Sequence, residues 1–445
     1  MRAAPATDYP SCPVSPFPED SMPTRFWHGF ADMHVIADRE VVIESGEGAV
    51  IRDTQGNEYI DATAALWYCN AGYGRREIAE AVADQLIKLH GYSSFGAYTT
   101  EATVRVADRL AELAPFANAV VYLASGGSDA IETAGKLARR YWDVLGKPHK
   151  TLFVSREHSY HGMHALGTSL VGMPAMRNGY GGEPFVPEVV QVPVLDVDAV
   201  ARLFEQRHEE IAAFIGEPVI GAGGVIPPTE GYWRDISELC RRYDVLLVAD
   251  EVITGFGRTG HVWGTQRYGI TPDLITFAKG VTSGYMPLGG VLVNERVRAP
   301  FWDEPVAGAV FRHGYTYSGH CGAAAAAMAN LDILEREGLV DRVRELEPKL
   351  DASVRRLAAL PTVGDIRTVG LTAAVALKPD VLERDPTAPD RIVAAALQHG
   401  VATRVLRGHA IHISPPFVIT EDQIDAIVDG IGSAIEDIAA VGAPA

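Results

Sequence analysis

Apolar residues recur along this chain in two rhythms. Short unbroken runs, each the length of a buried strand, fall at 119–123, 151–154, 211–215, 245–249, 274–278 and 288–293. Longer stretches at 75–89, 101–114, 130–145, 322–337 and 421–439 read as helices, the clearest with Ala130, Ile131, Ala134, Leu137, Ala138 and Tyr141 at three-and-four spacing. Nearer the start, 41–44 and 49–52 flank Ser45-Gly46-Glu47-Gly48 and predict a hairpin that 59–61 continues. Strands and helices in this order describe an open α/β sheet, and such sheets hold ligands at the carboxyl ends of their strands.

Two of those ends carry chemistry. The run 245–249 closes on Asp250, and the run 274–278 delivers Lys279. A buried acid and an amine at neighbouring strand ends suit a site that holds a cationic ring and forms an imine with an aldehyde. Taken singly, Asp250 reads as a cap and Lys279 as a solvated surface residue.

A third strand, 119–123, runs into Ser125-Gly126-Gly127-Ser128 and then a helix. Glycines let the backbone approach an anion, the first amides of the helix point at it, and Ser128 adds a hydroxyl, so Gly127 and Ser128 predict a phosphate cradle. Between the acid and the lysine, Gly255-Phe256-Gly257-Arg258-Thr259-Gly260 matches the dinucleotide fingerprint. That fingerprint needs a helix opening on it, and 261–266 is aromatic and glycine-broken, with no helical stripe, which disfavours a nicotinamide enzyme.

Composition narrows the partners. The 445 residues are 47% hydrophobic and 22% charged, ordinary for a soluble globular protein of two or three domains. The net charge of −18 excludes nucleic acid and anionic membrane as default partners. Four scattered cysteines form no zinc or disulfide pattern and suit a reducing cytoplasm; no run reaches the roughly 18 apolar residues of a membrane span, and no secretory leader is seen. Residues 1 to about 25 read as a proline-rich arm. His158, His161 and His164 invite a metal reading, but Gly162 breaks the helix such spacing needs, so no metal is expected.

Asp250-Glu251-Val252, the glycine turn at 255–260 and Lys279 together resemble the class III aminotransferases, a subgroup of the fold-type-I pyridoxal-phosphate enzymes. The resemblance covers nearly the whole chain. It implies a mostly parallel seven-stranded sheet in a large domain plus a smaller α+β domain, with 1–70 as an N-terminal arm and part of the small domain, 71–330 as the cofactor domain, and 331–445 as the C-terminal small domain. It implies pyridoxal 5′-phosphate as cofactor and ping-pong transfer of an amino group from an amine or ω-amino acid to a keto acid, with pyruvate as the expected acceptor. Decarboxylation and racemisation use the same fold and stay open.

The resemblance also assigns roles. Lys279 is the imine lysine and proton shuttle, and Asp250 the partner of the pyridine nitrogen. Tyr160, in Tyr160-His161-Gly162, stacks on one face of the ring, and Val252 covers the other. Glu217, in Glu217-Pro218, sits beside the cofactor. The family's usual Ser-Gly-Ser-Glu appears here as Gly126-Gly127-Ser128-Asp129. Thr316, in the segment 312–320, reaches the phosphate of a neighbouring subunit, which implies a homodimer with shared active sites and leaves a tetramer open. Trp67 lines the substrate pocket. Ala222 replaces a glutamate that in some relatives pairs with a substrate-binding arginine, so that arginine should be unpaired and mobile. Arg404 best fits its place, with Arg407 as the alternative.

Overall fold

The structure, a computed structural model, describes residues 24–36, 40–181, 184–303 and 306–441. The arm expected over residues 1 to about 25 lies almost wholly outside them. Fifteen strands are described: β1 (Ile43–Glu47), β2 (Val50–Asp53), β3 (Glu58–Asp61), β4 (Val120–Ala124), β5 (Leu152–Arg156), β6 (Val189–Val192), β7 (Ile211–Gly216), β8 (Leu246–Asp250), β9 (Leu274–Phe277), β10 (Gly289–Val293), β11 (Val363–Val369), β12 (Thr372–Leu377), β13 (Val401–Ala402), β14 (Val405–Leu406) and β15 (Ala410–Ile413). They form a seven-stranded sheet in the order β4-β10-β9-β8-β7-β5-β6 and two four-stranded sheets, β1-β2-β3-β13 and β11-β12-β15-β14.

In the large sheet only β10 runs antiparallel to its neighbours β4 and β9. Its strands are continuous apolar runs because both faces are covered. Phe153, Ala213, Ile215 and Val248 pack into one cluster with Ala130, Ala134 and Leu137 of the helix Gly127–Val144. The alternate residues Leu152, Val154, Phe214 and Leu247 pack with Trp233, Ile236 and Phe204 on the other face. The hairpin is β1 with β2, antiparallel, and β3 continues it as expected. A fourth, parallel strand comes from the far end of the chain: Val401 of β13 pairs with Ile60 of β3.

The glycine turn at 255–260 is filled by protein. A Cβ at Gly257 would lie 2.8 Å from the Phe417 ring, and one at Gly260 would lie 2.6 Å from Arg344. The next helix is the short Gly264–Tyr268, which does not open on Gly260. The glycines therefore serve close packing, and the turn offers no cradle for a dinucleotide. At its centre Arg258 is fully buried. Its guanidinium donates to the carbonyls of Pro415 (2.6 Å) and Leu371 (3.1 Å) and to Asn70 Oδ1 (2.8 Å), and stacks 4.6 Å from the Phe417 ring. Burial pushes this guanidinium down to about 9, against the opposing pull of Asp61. One side chain thus joins the turn after β8 to the segment after β3 and to both flanks of the third sheet.

Candidate active site

A cavity of about 120 Å³ opens at the carboxyl ends of β8 and β9, lined by Gly127, Ser128, Tyr160, His161, Glu217, Asp250, Val252 and Lys279 among others. Seven candidates from the sequence, all of these but His161, therefore share one space, although they are drawn from five separate stretches of chain.

Asp250 is buried at the last position of β8. One carboxylate oxygen accepts from His161 Nδ1 at 2.7 Å; the other accepts from the Val252 amide at 3.1 Å and from Thr276 Oγ1 at 3.2 Å. Thr276 lies directly opposite Asp250 in the parallel register of β8 and β9. Lys279 comes just after β9 and holds a left-handed backbone, φ +49, a strained conformation for a long side chain. Burial pushes its amine down to about 8, opposed by Asp250 and aided by Arg404. The pair expected from the strand ends thus faces one cavity.

The other end of the cavity is the start of the helix Gly127–Val144. Gly126 caps it without a side chain, so its first amides keep no side-chain acceptor. Ser128 Oγ accepts from the Met163 amide at 3.1 Å, which leaves its hydroxyl proton free to donate. A Cβ at Gly127 would stand 2.9 Å from Val252 Cγ1, and one at Gly162 2.6 Å from Ser128 Oγ. The loss of a second hydroxyl at Gly126 leaves the amides in place, and Asp129 turns away to accept from the Ser125 amide and from His164 Nε2.

Glu217, fully buried, accepts from the Tyr160 amide at 3.0 Å and from the Gly221 amide at 2.9 Å. Burial pushes its carboxyl up. It thereby fixes the backbone that carries Tyr160 and ties it to the loop that carries Ala222. The three histidines diverge: His161 to Asp250, His164 to Asp129 at 2.8 Å, and His158 toward Arg407. Among the described residues no group of three or more potential ligands could hold a metal ion.

Outside that lining, Arg404, just before β14, lies close enough for its charge to act on Lys279 and Tyr160. Trp67 is buried with φ +61, on a broken helical turn held by Asp61, whose carboxylate accepts from the Thr63 and Ala65 amides. The Arg404 guanidinium sits 4.0 Å from the centre of the Trp67 ring, and that indole also meets His412 at 4.4 Å. Arg404 Nε is buried with no hydrogen-bond partner, and among the described residues no acid forms an ion pair with it. Burial pushes it down to about 10, against Tyr160. Ala222, half-buried, packs with Trp67 and Ile253. Arg407 is exposed on the turn between β14 and β15. Thr316 is exposed and does not line this cavity; its segment lies along the helix Gly127–Val144, where Tyr315 donates to the Asp129 carbonyl and His313 meets Thr133.

Sequence alone does not single out His161, Thr276 or His412 for these places. The first two carry a signal, since His161 adjoins Tyr160 and Thr276 lies on the strand that leads to Lys279. Nothing in the sequence pairs His412 with Trp67.

These residues fit pyridoxal phosphate. An uncapped helix start between two glycines suits its phosphate, and a buried carboxylate and an amine with a lowered proton affinity face the same space. The class III aminotransferase family model matches residues 34–435. The chain is 38% identical to the diaminobutyrate–2-oxoglutarate transaminase of Halomonas elongata, over 87% of this chain and 88% of that protein. It is 37% identical to the putrescine–pyruvate aminotransferase of Pseudomonas aeruginosa, over the same shares. A solved (S)-enantioselective omega-transaminase from Thermomicrobium roseum superposes with a TM-score of 0.87 at 36% identity, covering 92% of this chain and 95% of that one.

Proposed function

The chain belongs to the class III aminotransferases, which are pyridoxal-phosphate enzymes of fold type I, and from that premise we propose that it carries an amino group from an amine or ω-amino acid to pyruvate by a ping-pong mechanism. The observation that carries the reading is the unpaired Arg404 lying on Trp67 beside Lys279. A guanidinium with no resident acid can take the carboxylate of a keto acid or ω-amino acid, and can move aside for a neutral amine. The pyruvate acceptor draws support from the Pseudomonas aeruginosa relative, although the Halomonas elongata relative is named for 2-oxoglutarate.

When bound, pyridoxal phosphate supplies an aldehyde that takes up the substrate amine and a ring that withdraws electrons from the substrate carbon. The Gly127 and Ser128 amides and the Ser128 hydroxyl would hold its phosphate, Tyr160 and Val252 its two faces, and Asp250 its ring nitrogen. Lys279, its amine pushed down to about 8, can accept a proton from carbon and return it at working pH. His161, Thr276 and the Val252 amide fix the Asp250 carboxylate so that it need not reorganise as charge develops. Glu217 holds Tyr160 in place through its amide. Arg404 orients the substrate carboxylate, and Trp67 limits the group beside it.

Two further expectations belong to the same proposal. Large apolar side chains are exposed near the segment that carries Thr316: Phe95, Tyr98 and Trp302 share a groove with Arg312, His313 and Gly314, and Tyr317 is exposed on the segment itself. That supports a homodimer in which Thr316 serves the partner's phosphate. The three buried, unpaired cysteines Cys69, Cys240 and Cys321 support a reducing cytoplasm, and no described helix is long and apolar enough to cross a membrane. The test is a donor panel run against pyruvate with alanine as the readout. Transfer to other keto acids with no alanine formed would sink the pyruvate reading.

A further inference from the structure

Four basic side chains converge on the loop of Ala222, and transamination as derived from the cavity uses none of them. In the third sheet Arg367 of β11 lies opposite Ala374 of β12, Ala374 lies opposite His412 of β15, and the His412 amide donates to the Arg404 carbonyl at 3.0 Å. Residues abreast across an antiparallel sheet share a face. Arg367 and Arg404 therefore point to the same side of this sheet, three strand spacings or roughly 14 Å apart along the backbone. That face covers the loop after β7, and Ala374 packs with Trp67, Val219 and Val225.

Over this loop the side chains meet. A Cβ at Gly224 would lie 3.5 Å from both Arg367 Nη2 and His409 Cε1. His158, whose carbonyl touches Gly223, and Arg407 complete the group. Acids are scarce. Asp365 reaches Arg367 Nε at 3.2 Å and Glu157 lies beside His158, yet Arg367 Nη2 is buried with no hydrogen-bond partner. Burial comes first in pushing both imidazoles down, and the two guanidiniums push them further.

The backbone adds an independent sign. The His409 amide donates to the Leu406 carbonyl at 3.1 Å across a tight turn whose two central residues, Arg407 (φ +47) and Gly408 (φ +69), are both left-handed. Such turns take Asn-Gly or Gly-Gly, because a long side chain is strained at the first position. Stability alone would choose glycine or asparagine there, so the strain held at Arg407 fits a side chain kept for use.

We propose that Arg367, Arg407, His158 and His409 form a second oxyanion site, over the loop that carries Ala222, that takes a carboxylate or phosphate group. Its occupant is the distal carboxylate of a dicarboxylic keto acid or a free inorganic anion. The first source rests on the keto-acid chemistry proposed for the cavity; the second does not.

The experiment uses the cofactor-loaded enzyme, its variants Arg407→Gly and Arg367→Gln, and three probes: pyruvate, 2-oxoglutarate and inorganic phosphate. Arg407→Gly relieves the left-handed strain, so its melting temperature is expected to equal or exceed that of the parent. For an acceptor site, single-turnover kcat/KM for 2-oxoglutarate falls about tenfold or more in both variants while pyruvate changes less than about twofold. For a free-anion site, millimolar phosphate alters turnover or binds in calorimetry with the parent, and the effect is lost in both variants. Either result supports the proposal and names the source. An unchanged 2-oxoglutarate-to-pyruvate ratio together with an unchanged phosphate response overturns it, as does a lowered melting temperature in Arg407→Gly with equal losses on both acceptors. A parent enzyme that turns over no pyruvate would refute the acceptor reading instead, and the phosphate arm would still decide the site.

Discussion

His161 Nδ1 donates to the Asp250 carboxylate at 2.7 Å, and both groups are buried, with the far ring nitrogen of His161 left without a partner. The histidine next to Tyr160 therefore sets the direction in which Asp250 presents its charge. A hydrogen bond to a charged group contributes roughly 1.5–3 kcal/mol, which corresponds to about 10- to 150-fold. We predict that His161→Leu lowers single-turnover kcat within that range and that Asp250→Asn lowers it more, with cofactor still taken up in both. Wild-type rates in Asp250→Asn would show that this carboxylate does not serve the ring.

Lys279→Ala should lose transamination by several orders of magnitude while the fold persists, since one side chain is proposed to supply both the covalent anchor and the proton shuttle. In the cofactor-free protein its amine titrates at about 8 because it is buried. Capture of pyridoxal phosphate should therefore quicken as pH rises and level off just above 8, whereas an ordinary lysine would keep quickening toward 10.5. The sign for stability is the same. Between those two values the unfolded chain still holds the proton that the folded chain has lost, so the cofactor-free protein gains stability as pH rises. Stopped-flow absorbance and melting curves against pH, with Lys279→Ala as the control, measure both trends.

Arg404→Ala should weaken pyruvate and ω-amino acids by about 10- to 150-fold and largely spare a neutral aryl-ethylamine. The guanidinium lies on the Trp67 ring with no acid to hold it, so it is free to meet a carboxylate. Single-turnover kinetics of each half-reaction separate the cases. Equal losses for acidic and neutral donors would make Arg404 structural, and a carboxylate-selective loss of pyruvate in Arg407→Ala alone would move the role there.

Gly127 and Val252 are coupled through the 2.9 Å approach that any Cβ at Gly127 would make. Gly127→Ala should raise the dissociation constant of pyridoxal phosphate, because overpacking of this kind costs about 1–3 kcal/mol and displaces either the helix start or the ring wall. The double variant with Val252→Ala should recover part of the loss. Equilibrium dialysis of the four proteins of this cycle gives the coupling directly, and additive losses would show that the two positions act separately.

The large sheet and its site are legible in the sequence because local signals and global fold agree there. Continuous apolar runs end in Asp250 and Lys279, and Gly126-Gly127-Ser128 stands between a strand and a helical stripe. The fingerprint at 255–260 betrays itself as a decoy through the aromatic, glycine-broken stretch at 261–266. Its actual use stays hidden, since the side chains that fill it, Phe417 and Arg344, are remote in sequence. The Trp67–His412 contact is hidden for the same reason, as is the meeting of Arg367 with His409 over Gly224. The proposal of Arg404 over Arg407 leans on the turn between β14 and β15, whose left-handed residue no propensity would assign to arginine.

The pairing of β13 with β3 joins Val401 to Ile60. During synthesis the ribosome releases the β1-β2-β3 hairpin early and must add nearly the whole chain before its fourth strand exists. Until then β3 presents an open edge, the kind that pairs with stray strands. Arg404 lies two residues beyond Ala402, so the residue proposed to bind the substrate carboxylate arrives on the same stretch that closes this edge. A nascent or truncated chain lacking it would be both sticky and unable to orient a keto acid. Assembly and competence thus come within reach at the same moment of biosynthesis.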